Sequence, residues 1–309
     1  MNKNKEYHQD SLGQKMHDLT IVIPAYNDEQ ALLSFLPKVI QYCQENECRL
    51  IVVNDGSRDG TSVLLNQYIN AYLFSFHSHK VNRGYGGAVK TGINAATTPY
   101  VITMDADGQH QLADISVLYN AIKQQDADMI VGSRMKHKEN LYRKIGKRLI
   151  RLIASILMPM NIKDINSGMK IYRTRLAKQY IQLCPDSMAF SETITLAFIH
   201  YRHLVLEQPI SVLPRTSGTS TISTKTAFDT VLEIFNIVML FNPMRIFLPP
   251  ALFFFLFSVC WGSPFVLRGE GVSVGTLLLF VTGVIFFFLG LLAEQLASVR
   301  ASLHQQQDS

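Results

Sequence analysis

The stretch YVITMDADGQH at 100–110 decides how the rest of the chain reads. Val101, Ile102 and Met104 make a short apolar run that predicts a buried strand. The run ends in Asp105, Ala106, Asp107, Gly108 and Gln109. Two carboxylates one residue apart, at the carboxyl end of a strand, repel each other. A divalent cation relieves that repulsion, and hard cations such as Mg²⁺ or Mn²⁺ prefer oxygen ligands. Open α/β sheets bind their ligands in the crevice beyond the strand ends. The plain alternative is a strand running into an ordinary Asp/Gly turn.

On either side, strand and helix patterns alternate. LTIVIP at 19–24 predicts a strand, followed by Ala25, Tyr26, Asn27, Asp28, Glu29 and a helix to about Tyr42. LIVVN at 50–54 predicts a second strand, broken by DGSRDGT at 55–61, where Ser57 or Asp59 can cap the next helix. A weaker third strand is expected over 71–76, and NRGYGG at 82–87 opens a helix to about Ala96. Past the central strand come a helix over about 114–125 and a fifth strand at 129–132. This alternation predicts an α/β domain with a parallel, doubly wound sheet, its polar loops along one edge. The glycine stretch follows the third strand rather than the first, so it is no dinucleotide fingerprint. It offers either an anion site at a helix N-terminus or a tight turn.

The formal charge of +5, from 29 basic and 24 acidic residues, is mild. No dense Lys/Arg run with interleaved aromatics marks a nucleic-acid groove, so no nucleic-acid partner is expected. Cys43, Cys48, Cys184 and Cys260 have neither CxxC nor framework spacing and read as reduced thiols. His77-x-His79 and His200-x₂-His203 lack a third ligand at zinc spacing. Residues 1–18 are polar, without the apolar core of a signal peptide, and read as a flexible tail.

Residues 246–267 and 271–293 contain no charged side chain. Each stretch is about 33 Å long as a helix, against a hydrocarbon core of about 30 Å. They predict two transmembrane helices, at about 246–267 and 272–293, joined by a short turn at Arg268, Gly269 and Glu270. Both chain ends then lie on one side of the membrane, the cytoplasmic side by the distribution of basic residues. Before the hairpin, Phe228, Val231, Leu232, Phe235, Val238 and Met239 fall at helical spacing, with Asp229, Glu233 and Asn236 on another face. This amphipathic juxtamembrane helix, 223–244, either lies in the bilayer interface or docks on protein.

Taken together, the loops resemble the family-2 glycosyltransferases of GT-A (Rossmann-like) fold. Within that family they resemble the polyprenyl-phosphate sugar synthases, the branch of dolichol-phosphate mannose synthase and the bactoprenol glucosyltransferases. The resemblance is carried by IVIPAYND at 21–28, VVNDGSRDGT at 52–61, NRGYGGAVKTGI at 82–93, DADGQH at 105–110 and GSR at 132–134. NSGMKIYR at 166–173 and RTSGTS at 215–220 follow in the same order. It implies a GT-A catalytic domain over 19–222, with the hairpin over 245–294 and a cytoplasmic tail at 295–309.

By the same resemblance, Pro24, Ala25, Tyr26, Glu29 and Asp55 cradle the base and ribose of a nucleotide-sugar donor. Asp105 and Ala106 complete that contact. Asp105, Asp107 and Gln109 hold a divalent cation, Mg²⁺ or Mn²⁺. Arg134, Arg148 and Arg215 surround the phosphate of a polyprenyl acceptor, a task suited to a planar, permanently charged fork. Arg143 and Lys144 are alternates for Arg148. A phosphate monoester brings its own nucleophilic oxygen, so no catalytic histidine is required, and His110 reads as a support for the acidic turn. Glu192 stands where family members with hydroxyl acceptors keep a base, or else partners an arginine. The branch implies a UDP-sugar before a GDP-sugar, inversion at the anomeric carbon, and an integral protein of a bacterial inner membrane. A homo-oligomer is left open.

One departure concerns the residue after Ser220, where the family usually has Lys. Here it is Thr221, with Lys225 four residues on. Two other readings remain: a polysaccharide synthase with a saccharide acceptor, and a silent nucleotide-binding membrane scaffold. The first lacks a QxxRW-type motif, since the sole tryptophan, Trp261, lies in an expected span. The second has no use for mutually repelling carboxylates at 105 and 107.

Overall fold

The computed structural model describes residues 15–134, 162, 164–211, 235–236 and 238–306. They fall into two compact units, one ending at residue 211 and the other beginning at 235. Arg143, Lys144, Arg148, Arg215, Thr221 and Lys225, and most of the helix expected at 223–244, lie outside the described residues.

The first unit is built on a seven-stranded sheet in the order β3-β2-β1-β4-β6-β5-β7. Its strands are β1 (Leu19–Ala25), β2 (Arg49–Asn54), β3 (Phe74–Ser78), β4 (Tyr100–Thr103), β5 (Met129–Arg134), β6 (Lys170–Arg173) and β7 (Val205–Ile210). Every residue of β1 is buried, as expected of a central strand covered on both faces. Pro24 costs the ladder nothing on the β4 side, because β4 pairs only with 19–22. The helices are α1 (Glu29–Asn46), α2 (Thr61–Gln67), α3 (Tyr85–Ala95), α4 (Leu112–Gln124), α5 (Thr174–Tyr180) and α6 (Phe190–His200). In α1 the buried Leu32, Phe35, Leu36, Val39, Ile40 and Cys43 make one helical stripe on the core. Residues 15–18, read as the end of a tail, are docked: Met16 is buried, and Asp18 binds Tyr119 and Lys123.

Two expectations need correction. The third strand is Phe74–Ser78 rather than 71–76, because Leu73 takes a left-handed φ of +63° that ends the preceding turn. The sheet is also mixed rather than wholly parallel, since β6 runs antiparallel to both β4 and β5. The reason is topological. β5 ends at the carboxyl edge, and the chain re-enters at that edge, where Arg134 N–H meets Asp164 and Gly132 N–H meets Met169 O. A strand starting there can only run back. It thereby brings residues 164–169 alongside the turn after β4.

The second unit is a hairpin of α7 (Met244–Leu267) and α8 (Val274–Gln306), each long and apolar enough to cross a membrane. The link is 268–273, with Gly269 and Gly271 at positive φ. α8 continues past 293, so residues 295–306 are helical. Small residues let the helices close up: Gly262 faces Thr276, Gly283 faces Phe255, and Gly290 faces Phe247. Ser258 Oγ donates to Thr276 O at 3.1 Å, and Phe254 stacks on Phe286 at 5.7 Å. The outside is the greasy side, with Leu256 67% and Leu278 63% exposed. That pattern inverts the one expected in water.

Candidate active site

The loops after β1 and β2 are stitched together by hydrogen bonds. Asn27, at φ +53°, donates its N–H to Ser57 Oγ at 3.0 Å, and its side-chain oxygen accepts Arg58 N–H at 2.8 Å. Asp59 accepts Glu29 N–H at 3.2 Å and Thr61 N–H at 3.0 Å. Glu29 Oε2 accepts Gly60 N–H at 3.0 Å, and a Cβ at residue 60 would stand 2.1 Å from the Glu29 carboxylate. The Glu29 carboxylate, expected above to help cradle the base and ribose, also holds the two loops together. Pro24 and Ala25 are buried beneath this junction, and the Tyr26 ring is exposed above it.

Beside the junction lies a pocket of about 530 Å³, bounded among others by Asn27, Asp28, Glu29, Arg58, Asp59 and Asp107. Asp28 is the residue that reading the sequence missed. Its Oδ2 accepts Tyr26 N–H at 3.0 Å. Burial, followed by the charges of Asp107, Asp59 and Asp105, pushes its carboxyl up. Its place directly before Glu29, in an otherwise polar loop, gave no periodic signal to separate the two.

The turn after β4 presents Asp107 to the pocket, where its Oδ1 accepts Gln109 N–H at 3.1 Å. Ala106 is buried between the two acidic residues. The Asp105 side chain is 37% exposed, and His110 Nε2 stands 3.5 Å from its Oδ2. Burial works to raise the Asp105 carboxyl, but His110, the Tyr85 hydroxyl and the Arg134 charge together hold it below its ordinary value. Gly168, at the entry to β6, makes room for it: a Cβ there would lie 2.4 Å from Asp105 Oδ2.

Among the described residues, no three His, Cys, Asp or Glu side chains converge as a complete metal cage. The turn supplies two carboxylates and an amide, with Asp28 loaded by their negative field, so the donor set suits a hard cation that takes its remaining oxygens from a ligand.

The glycine turn is now explained. A Cβ at Gly84 (φ +91°) would lie 2.5 Å from Asp186 O, and one at Gly86 would lie 2.3 Å from Pro185 O. These glycines let α3 start against the backbone of 185–186, and Lys90 Nζ pairs with Asp186 at 2.6 Å. Tyr85 carries the same turn to Asp105. Asp55 is buried, and accepts His79 Nδ1–H at 2.6 Å and the N–H groups of Arg83 and Gly84 at 2.9 and 2.8 Å. His203 meets Tyr180 and Asp128 instead of a second histidine.

Arg134, at the end of β5, is gripped by Asp164, while its charge still reaches Asp105. Glu192 lies in the first turn of α6, and its charge acts on the buried Lys170. Lys170 donates to Ile165 O at 2.7 Å, to Ser191 O and to Thr195 Oγ1 at 2.9 Å, tying Ile165 to α6.

An acidic turn on the fourth strand, a pocket between the first two loops and an antiparallel strand closing the far side define a GT-A domain. The chain belongs to glycosyl transferase family 2, whose model matches residues 20–181, and the GtrB C-terminal hairpin model matches residues 242–299. It is 28% identical over 192 residues to an undecaprenyl-phosphate 4-deoxy-4-formamido-L-arabinose transferase of Proteus mirabilis, covering 61% of this chain and 58% of that protein. A dolichyl-phosphate beta-glucosyltransferase of Dictyostelium discoideum is 29% identical over 181 residues, covering 52% of this chain and 55% of its own length. The chain thus spans little more than half of these relatives. In fold it is similar to glucosyl-3-phosphoglycerate synthase from Mycobacterium tuberculosis, crystallised with Mn²⁺, uridine-diphosphate-glucose and phosphoglyceric acid. That TM-score is 0.53 at 14% identity, covering 73% of this chain and 80% of the other.

Proposed function

We propose that this protein is an inverting glycosyltransferase that moves one sugar from a nucleotide-sugar donor, a UDP-sugar before a GDP-sugar, to a polyprenyl phosphate. The reaction takes place on the cytoplasmic face of a bacterial inner membrane. The observation that carries the reading is the meeting of Asp28, Asp59 and Asp107 at one pocket beside Asp105, whose carboxyl feels Arg134. The names of the curated relatives support a lipid-phosphate acceptor, and the outward-greasy hairpin supports a membrane setting.

Tyr26 gives the base an apolar wall, and Asp55 accepts a hydrogen bond from the base or ribose. Asp105, Asp107 and Gln109 hold the cation, with Asp28 beside them. A bound Mg²⁺ or Mn²⁺ supplies Lewis-acid stabilisation of the diphosphate as its bond to the sugar breaks. Arg134, helped by Arg148 and Arg215, binds the acceptor phosphate and aligns one of its oxygens with the anomeric carbon. That oxygen is already anionic, so attack needs no general base. A single in-line displacement inverts the centre.

The test uses detergent-solubilised full chain, a panel of labelled nucleotide sugars, and polyprenyl phosphate, an oligosaccharide or a protein as acceptor. Label entering the organic phase only with polyprenyl phosphate supports the reading. Label entering the oligosaccharide instead would favour a glycan synthase, and no transfer from any donor would favour a silent binder.

A further inference from the structure

His79 directly follows β3, and its imidazole is only 9% exposed. Nδ1 lies 2.6 Å from Asp55 Oδ1, and Nε2 lies 2.9 Å from Thr91 Oγ1. Thr91 Oγ1 in turn donates to Gly87 O at 3.1 Å. One ring thus bridges the turn after β2 and the first two turns of α3. The His79 backbone is fixed as well, with its N–H on Asn54 O at 2.9 Å.

A carboxylate has about four acceptor positions. Two on Asp55 Oδ1 are filled by His79 and Arg83 N–H, and one on Oδ2 by Gly84 N–H. Among the described residues that leaves one, on Oδ2, without a protein donor. A carboxylate only accepts, so Nδ1 is the donor in this contact. Without the ring, Oδ1 keeps a single donor and a buried charge is left under-solvated. The carboxylate is then free to turn, and Arg83 and Gly84 lose a fixed acceptor.

We propose that His79 is a positioning residue for the donor nucleotide. It holds Asp55 so that its one open acceptor position meets the base or ribose, and it couples that orientation to the glycine turn at 82–87. The proposal rests on the donor role of Asp55 given above. His79 itself touches no substrate.

The test compares full-length His79→Asn, His79→Gln and His79→Phe in detergent. Asn places an amide nitrogen near the position of Nδ1, whereas Gln places one near Nε2. Three quantities are read: UDP affinity by calorimetry, donor KM and kcat, and hydrogen exchange at Arg83 and Gly84. His79→Phe is expected to weaken UDP binding and raise donor KM about ten-fold, the effect of one lost hydrogen bond to a charged group, with kcat within about two-fold. Exchange at Arg83 and Gly84 should accelerate. His79→Asn should recover most of the loss and His79→Gln should not. If His79→Phe fails to fold, the Asn–Gln contrast still decides. Unchanged UDP affinity in His79→Phe, or equal impairment of Asn and Gln with a lowered melting point, overturns the proposal. A wild-type chain that binds no UDP, while His79→Phe still loses protection at Arg83 and Gly84, rejects the donor reading and upholds the positioning of Asp55.

Discussion

Arg134 closes on Asp164 at three points: Nε to Oδ2 at 2.8 Å, Nη2 to Oδ1 at 2.9 Å, and its own N–H to Oδ2 at 3.0 Å. Asp164 is itself held, its N–H donating to Glu207 Oε1 at 2.8 Å. The Nε–Nη2 edge is thus taken by a carboxylate of the same chain, which fixes the plane of the guanidinium and so the direction of its remaining Nη donors. Arg134→Lys should raise the KM for lipid phosphate about ten-fold and leave the donor KM unchanged, since Lys keeps the charge without the fork. Asp164→Asn should move acceptor KM the same way by less, and cost about 1 kcal/mol in denaturant unfolding because the pair is partly exposed. A fall in acceptor KM in Asp164→Asn would make Asp164 a competitor of the phosphate rather than its guide.

Gly168→Ala separates geometry from stability. The new Cβ meets the Asp105 carboxylate at 2.4 Å, a side chain that can swing away. Turnover should drop about 100-fold, the scale of an ångström-sized misplacement, with little change in melting point. Gly84→Ala is the contrasting case, because its φ of +91° and the Asp186 carbonyl at 2.5 Å are backbone constraints. It should destabilise the fold by about 1–3 kcal/mol, measured by denaturant unfolding.

Lys170 sets a pH dependence of stability. Burial lowers its ammonium from 10.5 to about 7, against the opposing pull of Glu192 and Asp164. Between those two values the unfolded chain binds more protons than the folded one, so stability from this group rises with pH from about 7 toward 10.5. Below about 7 the full cost of burying the charge is present. Melting curves across that range should show the rise in wild type and a flatter profile in Lys170→Met.

The outer face of the hairpin predicts its own behaviour. Leu256→Arg with Leu278→Arg puts a charge on each exposed flank, at about 2.5–3.5 kcal/mol apiece near a bilayer centre. Wild-type chain should stay with carbonate-washed membranes, and the double variant should be partly released. Equal retention would argue that these flanks do not face lipid.

Much of this was legible in residue patterns, and the gaps have physical causes. β1, β2 and β4 are apolar runs ending in polar turns, which locates the carboxyl edge and the acidic residues on it. β6 was hidden because four residues, KIYR, begin with a lysine that the fold buries completely. No alternation rule anticipates a buried lysine satisfied by two carbonyls and a hydroxyl. Asp28 and Glu29 are adjacent and chemically alike, and both line the pocket, so only their partners, Tyr26 N–H and Gly60 N–H, tell them apart. The role of His79 was likewise hidden: the spacing of His77-x-His79 lacks a third metal ligand, and only the fold brings Asp55 and Thr91 to the two nitrogens of His79.

A cation held by the turn bearing Asp105 and Asp107 would tie the donor diphosphate to this pocket. Calorimetric titration of UDP into the full chain, with and without Mn²⁺, tests it most directly when Asp107→Ala is run in parallel. Mn²⁺ is expected to tighten UDP binding to the wild type by at least about ten-fold and to leave Asp107→Ala at the weak, metal-independent level. Equal UDP affinity in both proteins, with the same response to Mn²⁺, would contradict it.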